Sequence, residues 1–307
     1  MNGDMGHGVW GFGYMRLYKD FLNEVFPECE KVRKVSLNVG FSCPNLDGTV
    51  GKGGCDYCDN KSFSAVATSE LSVMEQLEDG IKKNKNCGIL AYFQSYTNTH
   101  APVKKLREVF MPVIQHVKVA GISIGTRPDC LSEEVVNLLA ELNKIKKVIV
   151  EIGVQTANDK TLKNINRNHT VAQVRDAAVR CKNAGLLTAS HIIIGLPNED
   201  MEDFVNTAKL IAECKFSAVK IHPLHITKGT KFAVEYAKGK IGLLGLEDYC
   251  KAAAAVIEIL QPAGVAIERV SADCPAYMLV APAWCGERQK IWEGIDNIMG
   301  RADTDAK

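Results

Sequence analysis

The chain has 307 residues, 46% hydrophobic and 24% charged, with 37 basic against 36 acidic side chains and a formal net charge of +1. These proportions exclude collagen-like, fibrous and intrinsically disordered chains, and the charge balance argues against a strongly cationic nucleic-acid binder while leaving room for a local basic patch. No run of 18 apolar residues occurs, and the start, MNGDMGHGVW, lacks the basic and apolar regions of a signal peptide, so a cytoplasmic chain with no membrane segment is expected. Eleven cysteines are the unusual number. An odd count in a reducing compartment is no disulfide framework, which leaves buried thiols and metal ligands.

Gly6, Gly8 and Gly11 satisfy G-x-G-x-x-G, but no strand precedes them and no βαβ unit frames them, so the match is a chance one. Helical spacing of apolar residues predicts a helix over RLYKDFLNEVF (16–26), followed by a first strand at KVSLNVG (34–40). Strand-like runs at 88–94, 119–126, 147–154, 188–195 and 217–224 then alternate with helical patterns near 70–86, 102–117, 131–145, 170–184 and 199–214. Such alternation predicts an α/β fold with a parallel sheet, wound open or curled into a full or partial barrel. Beyond residue 226 come a helix near 246–261, a strand-like run VAIERVS (265–271), a Pro-containing loop and a last helix near 286–299.

In either architecture ligands bind at the carboxyl ends of the strands. The polar residues just after each strand are therefore the candidates: Cys43 and Asn45, Gln94 to Thr97, Thr126 to Asp129, Gln155, and then His222, His225 and Lys228.

After the first strand comes CPNLDGTVGKGGCDYC, with Cys43, Cys55 and Cys58 spaced eleven and then two residues apart. Cys-x-x-Cys brings two thiolates to one metal centre, and the glycine-rich loop can return Cys43 beside them. Three ligands are offered, and no fourth Cys or His lies nearby. Structural zinc, a redox Cys-x-x-Cys, unligated buried thiols and a metal centre with an open position all remain compatible with this spacing.

The motifs CPNLDGTVGKGGCDYC, YFQSYTNTHAP, SIGTRPDCL, VEIGVQTANDKTLKNINRNHT, HIIIGLP and LVAPAW, dispersed from about Trp10 to Ile298, resemble the radical S-adenosylmethionine (SAM) superfamily. Within it they resemble the YhcC-like bacterial group, related to the radical SAM domain of the Elongator catalytic subunit. Its usual cluster spacing is three then two, so eleven then two places this chain with the long-loop subgroup. The resemblance implies a partial (β/α)6 TIM-type barrel of parallel strands (34–228), a short N-terminal extension and helix (1–33), and a C-terminal α/β extension capping the barrel (229–307). It implies a 4Fe-4S cluster on Cys43, Cys55 and Cys58 whose free iron binds SAM. It further implies an electron from reduced flavodoxin or ferredoxin, and reductive cleavage of SAM to a 5′-deoxyadenosyl radical.

By the same resemblance Tyr57 shields the cluster and approaches the adenine, and Thr97 lies in the turn that bonds the SAM amino group. There Gln94, Ser95 and Tyr96 replace the family's glycines, so the loop is expected to take a different path. Gln155 contacts SAM and Arg167 neutralises its carboxylate, the alternative being a loop amide and a solvated helix arginine. Glu151, in a nearly all-apolar strand, binds the SAM ribose or amino group or finds another partner, since burying it unpaired is costly. His191 stands near the adenosine or is a satisfied core histidine. Arg127, Asp129, His222, His225 and Lys228 are candidates for substrate contact. Arg269, Asp273 and Trp284 match the group's ending, while Cys274 and Cys285 read as packing residues.

The Elongator-like motifs suggest chemistry on the wobble uridine of transfer RNA. A modest basic stretch (Lys144, Lys146, Lys147, Lys160, Lys163, Arg167) could serve it, although such runs are more often a solvated face. A small-molecule metabolite is the alternative substrate, and a non-enzymatic zinc-binding barrel module is the alternative of another class.

Overall fold

The computed structural model describes residues 15–59, 69–272 and 274–305. The glycine motif at residues 6–11, Trp10 and Asp273 lie outside the described residues. The chain runs α1 (Tyr18–Val25), β1 (Val32–Leu37), α2 (Val73–Lys83), β2 (Gly88–Phe93), α3 (Val103–Gln115), β3 (Val119–Thr126), α4 (Glu133–Asn143) and β4 (Lys147–Gln155). It continues through α5 (Asp159–Asn164), α6 (Val171–Asn183), β5 (Leu187–Ile194), α7 (Met201–Glu213), β6 (Ala218–Pro223), β7 (Ile226–Thr227) and α8 (Lys231–Ala237). The last elements are α9 (Leu246–Leu260), β8 (Ala266–Arg269), β9 (Leu279–Ala281) and α10 (Arg288–Asp305).

Short polar signals start the crossover helices. Ser72 Oγ accepts from Glu75 N at 3.3 Å while Glu75 Oε2 accepts from Ser72 N at 2.8 Å, and Thr170 with Gln173 repeats this reciprocal cap at α6. Each cap satisfies N–H groups that the first helical turn leaves open.

Seven strands form one parallel sheet in the order β1-β2-β3-β4-β5-β6-β8. Because each strand pairs with the next one in that order, the sheet curls in one sense and gives a half-barrel with helices outside. The predicted six-stranded barrel thus gains a strand from the segment read as a C-terminal extension. After the 224–245 excursion, α9 packs on α7 and returns the chain to β8, completing another βαβ unit. The excursion hid that unit in the sequence. The two-stranded antiparallel ribbon β7–β9 and the short helix α5 were not anticipated, since elements of two to six residues show no period.

The outer layer is apolar: Leu106, Phe110, Leu139, Val174, Phe204 and Ile257 from the helices bury against the outward residues of the strands. Inside, side chains stack in layers set by the two-residue strand period. The bottom layer, Leu90, Ile149, Ala189, Ala218 and Ala266, is plugged by Tyr18, Phe21, Leu22 and Phe26 of the α1 segment. Gly121 makes this possible, because a Cβ there would stand 2.8 Å from the Phe26 ring and 2.6 Å from Lys147 O. The next layer up is polar and holds Lys34, Tyr92, Ser123, Glu151, His191, Lys220 and Glu268.

Phe21 is 1% exposed in that plug. Phe21→Ala is expected to lower unfolding free energy by about 3–5 kcal/mol, measured by chemical denaturation, because the ring leaves a cavity that neighbouring strands cannot fill.

Candidate active site

A cavity of about 340 Å³ opens at the carboxyl ends of the strands. Its lining includes Cys43, Cys55, Tyr57, Cys58, Thr97, Arg127, Glu151, Gln155, Arg167, His191, His222 and His225, so nearly every residue singled out from the sequence faces one space. Two do not line it. Asp129 accepts from Arg127 Nε and Nη2, both at 2.9 Å, and this bidentate pair turns its carboxylate onto Arg127. Lys228 is exposed on the loop after β7, its backbone N–H donating to Met278 O at 2.9 Å. As direct substrate contacts inside the cavity, both are corrected.

The cysteine loop folds on itself through Leu46 N to Cys43 O (2.7 Å), Gly54 N to Asn45 O (3.0 Å) and Cys58 N to Cys55 O (2.9 Å). It is tied to the segment after α5: Asp56 N donates to Ile165 O at 3.0 Å, and Asn166 Nδ2 donates to Gly54 O at 2.6 Å and to Lys52 O at 3.1 Å. Tyr57 packs on a small apolar cluster with Ile165, Leu196 and Phe232. All three cysteines are free thiols, and burial next to Cys55 and Cys43 pushes the Cys58 thiol above its usual range.

Arg167 is a buried residue in a loop, so the solvated-helix alternative falls. Its Nη2 donates to Gly153 O at 2.9 Å and its Nη1 approaches Cys55 Sγ at 3.8 Å. A Cβ on Gly153 would stand 2.6 Å from Arg167 Nη2 and 2.7 Å from Gln155 Nε2, so the glycine leaves room for both. Gln155 takes a left-handed φ of 70°, at an irregularity in the β4–β5 pairing. Tyr96 likewise adopts φ 63°. The loop after β2 therefore does enter the left-handed region, despite lacking glycine, and is held there by Asn98, whose Nδ2 bonds Phe93 O at 2.9 Å and Gly125 O at 3.0 Å.

Glu151 has no exposed side-chain surface. It accepts from Lys34 Nζ (2.7 Å), Ser123 Oγ (2.5 Å), His191 Nε2 (2.7 Å) and Lys220 Nζ (2.6 Å). Of the two expectations for this carboxylate the partner is realised, and no acceptor site is left for a ligand ribose. Burial opposes its ionisation, but Lys220, Lys34 and the His191 bond outweigh burial and hold the carboxyl well below the usual range. Lys34 also bonds Glu268 at 2.7 Å, and Lys220 bonds Tyr92 Oη at 3.3 Å. Lys34, Tyr92, Lys220 and Glu268 were missed because charged residues in strands read as solvent-facing. With Glu151 and His191 they span six strands, in a register that only the folded sheet brings together.

His191 Nε2 donates to a carboxylate, so its proton sits on that nitrogen and Nδ1 is an acceptor. Burial, with Lys220 adding to it, lowers the His191 pKa. His222 stands beside it, ring centroids 5.8 Å apart. Burial and then His191, Arg269, Lys220 and His225 push the His222 imidazole well below its ordinary value.

A half-barrel with three thiols and buried cations at its carboxyl mouth defines a metal- or cofactor-dependent α/β-barrel enzyme. The radical SAM superfamily model matches residues 48–211 and the radical SAM C-terminal domain model residues 216–301, and the chain belongs to the radical SAM superfamily. It is 39% identical over 268 residues to Protein YhcC of Escherichia coli K12, covering 87% of this chain and 85% of that one. It is 30% identical over 166 residues to the tRNA uridine(34) acetyltransferase of Methanocaldococcus jannaschii, covering 53% of this chain and 30% of that one. Among solved structures, Methanocaldococcus infernus Elp3 superposes with a TM-score of 0.63 at 20% identity, over 87% of this chain and 63% of that chain.

The family architecture is that of an enzyme that binds SAM and an iron–sulfur cluster. The residues present fit both. Cys55 Sγ already receives N–H donors from Asn45 at 3.4 Å and Arg167 at 3.8 Å, the environment a thiolate ligand needs. Arg127 Nη1 and Arg167 Nε are buried without a hydrogen-bond partner among the described residues, which suits an anionic group brought into the cavity. Among the described residues no three His, Cys, Asp or Glu side chains are gathered on a single ion, whereas a cluster takes one thiolate per iron, from ligands that stand apart. No helix among the described residues is long and apolar enough to cross a membrane.

Glu151→Gln leaves two buried ammonium groups undercompensated and is expected to destabilise the fold by about 3–5 kcal/mol in urea denaturation. The histidines set a pH dependence. Unfolded, His191 and His222 take up protons near pH 6.5; folded, both pKa values are depressed. The stability they contribute is therefore present above about pH 6.5 and is lost as pH falls below it. The urea midpoint should drop from about pH 7.5 to about pH 5.5, and His222→Gln should shrink that drop.

Proposed function

We propose that Cys43, Cys55 and Cys58 hold a site-differentiated 4Fe-4S cluster, that the enzyme cleaves SAM reductively, and that its substrate is transfer RNA at the wobble uridine. The observation that carries this reading is the convergence of three thiols with Arg167 and Gln155 on one cavity at the barrel mouth. When bound, the cluster and SAM supply the one-electron chemistry, with a flavodoxin or ferredoxin as electron donor.

The chain's own residues bind and orient. Arg167 offers a guanidinium to the SAM carboxylate, supported by Gly153 O, and Arg127 holds the Arg167 loop in place by donating from Nη2 to Arg167 O at 2.9 Å. Thr97, 1% exposed, and Tyr57 wall the cavity beside the thiols. His191 presents an acceptor nitrogen fixed by Glu151, while His222 and His225 also line the cavity and are left for substrate.

Two features support an RNA substrate. One is the segment shared with a protein named for its action on uridine 34 of tRNA. The other is a set of exposed lysines on α5 (Lys160 and Lys163) and on the loops at the mouth (Lys52 and Lys228) that form no ion pair among the described residues, a distribution suited to phosphates. The basic stretch read from the sequence is not a single patch. Lys144, Lys146 and Lys147 lie at the opposite end of β4, with Lys146 Nζ on His116 O at 2.7 Å, and Arg167 is buried.

Anaerobically reconstituted protein should be brown and, once reduced, should release 5′-deoxyadenosine from SAM. Cys43→Ala, Cys55→Ala and Cys58→Ala should each abolish both properties. A colourless zinc protein that leaves SAM intact would falsify the radical reading. Bulk tRNA from cells lacking the gene should show an altered modified-uridine profile, and an unchanged profile would replace RNA with a small-molecule substrate.

A further inference from the structure

Asn45 is fully buried and does not line the cavity. Its Nδ2 lies 3.4 Å from Cys55 Sγ and 3.1 Å from Arg167 O, and it also donates to Asn166 O. Its Oδ1 accepts from Asn168 Nδ2 at 3.4 Å. The amide is therefore held on both sides by the loop after α5, and its two N–H bonds are shared among Asn166 O, Arg167 O and the Cys55 sulfur, which they reach from behind. Arg167 Nη1 reaches the same sulfur from the cavity side at 3.8 Å. Arg167 is also the group offered to an incoming carboxylate, so its hold on Cys55 is conditional. Asn45, sealed from the cavity, has no competing ligand.

We propose that Asn45 is a positioning residue whose N–H···S bond to Cys55 raises the reduction potential of the cluster held there. The proposal rests on the reading that Cys55 is a cluster ligand. A reduced cluster carries one more negative charge, spread partly onto its thiolates, and a fixed donor stabilises that form more than the oxidised one. Donation to one sulfur out of three also makes the Cys55 corner electronically distinct.

The test is an EPR-monitored redox titration of reconstituted holoprotein, with iron and sulfide content measured alongside. Asn45→Ala with full cluster content should show a lower potential, by about 59 mV for a tenfold loss of reduced cluster at a fixed poise in a one-electron couple. Its iron–sulfur(cysteine) stretch in resonance Raman spectra should also move, because the sulfur regains charge for iron. Asn166→Gly is the control: at a φ of 53° that glycine tolerates, it removes the bonds to Lys52 O and Gly54 O and the one from Asn168 Nδ2, and leaves the sulfur's donor, Asn45 Nδ2, in place. It should keep the wild-type potential.

A loaded Asn45→Ala protein at the wild-type potential overturns the proposal. So does an equal fall in Asn166→Gly, which would mark a merely structural tie. Should Asn45→Ala fail to load, wild-type protein labelled with 15N in its asparagine amides decides, through the presence or absence of nitrogen coupling to the reduced cluster in pulsed EPR. Wild-type protein that takes up no iron–sulfur cluster overturns the underlying reading and the proposal with it.

Discussion

Glu151 accepts four hydrogen bonds from Lys34 on β1, Ser123 on β3, His191 on β5 and Lys220 on β6, and the interior of the half-barrel is organised around that saturation. A carboxylate with no solvent and one missing partner would be a large liability, so the strands that carry the partners must curl until all four reach it. The same requirement fixes how far the sheet closes at this level. Above it the interior is free to remain open, because the polar layer already satisfies its own charges. Below it the layer is apolar and is shut by α1. Stability and ligand space are thus divided by one layer of charge, and removing charge from that layer would affect both.

The mouth is organised by a different device. A loop with glycines at 48, 51, 53 and 54 has little order of its own, yet it must present three thiols together. Its carbonyl groups are met by side-chain amides of the segment after α5, more than a hundred residues later in the chain. Asn166 and Asn168, both at positive φ, turn that segment so that Asn166 reaches Lys52 O and Gly54 O while Arg167 enters the cavity. Asparagine suits these turns because it tolerates the left-handed region and carries donors short enough to bond nearby backbone. The cysteine loop and the arginine thereby form one unit, and whatever orders one orders the other.

Strict alternation of apolar runs was enough to show the curled parallel sheet, because helices cover its outer face and that face dominates the pattern. The three thiols, Gln155 and Arg167 were legible through spacing and resemblance. Lys34, Lys220 and Glu268 were not, since their burial depends on cross-strand register, which a single sequence does not display. β8 was seen as a strand but not as part of the sheet, because residues 224–245 interrupt the βαβ rhythm. The lysines near β4 looked continuous in the chain, but a strand of nine residues carries its two ends to opposite faces of the barrel. Asp129 looked like a substrate group and is instead the partner of Arg127, a pairing of residues two apart that turn geometry decides.

The size of the cavity constrains the substrate more than its charge does. About 340 Å³, shared with a cofactor, admits no folded RNA. A tRNA substrate would therefore have to present a single uridine turned out of its stack, leaving its phosphates on the mouth lysines and its base against His222 and His225. The deep wall suits such a role: neutral imidazoles offer both a donor and an acceptor to a polar, uncharged base, whereas cationic ones would demand an anion. Burial and the neighbouring cations lower the pKa of His191 and His222, so the charged layer, while holding the barrel together, also sets the hydrogen-bonding character of the surface a substrate meets.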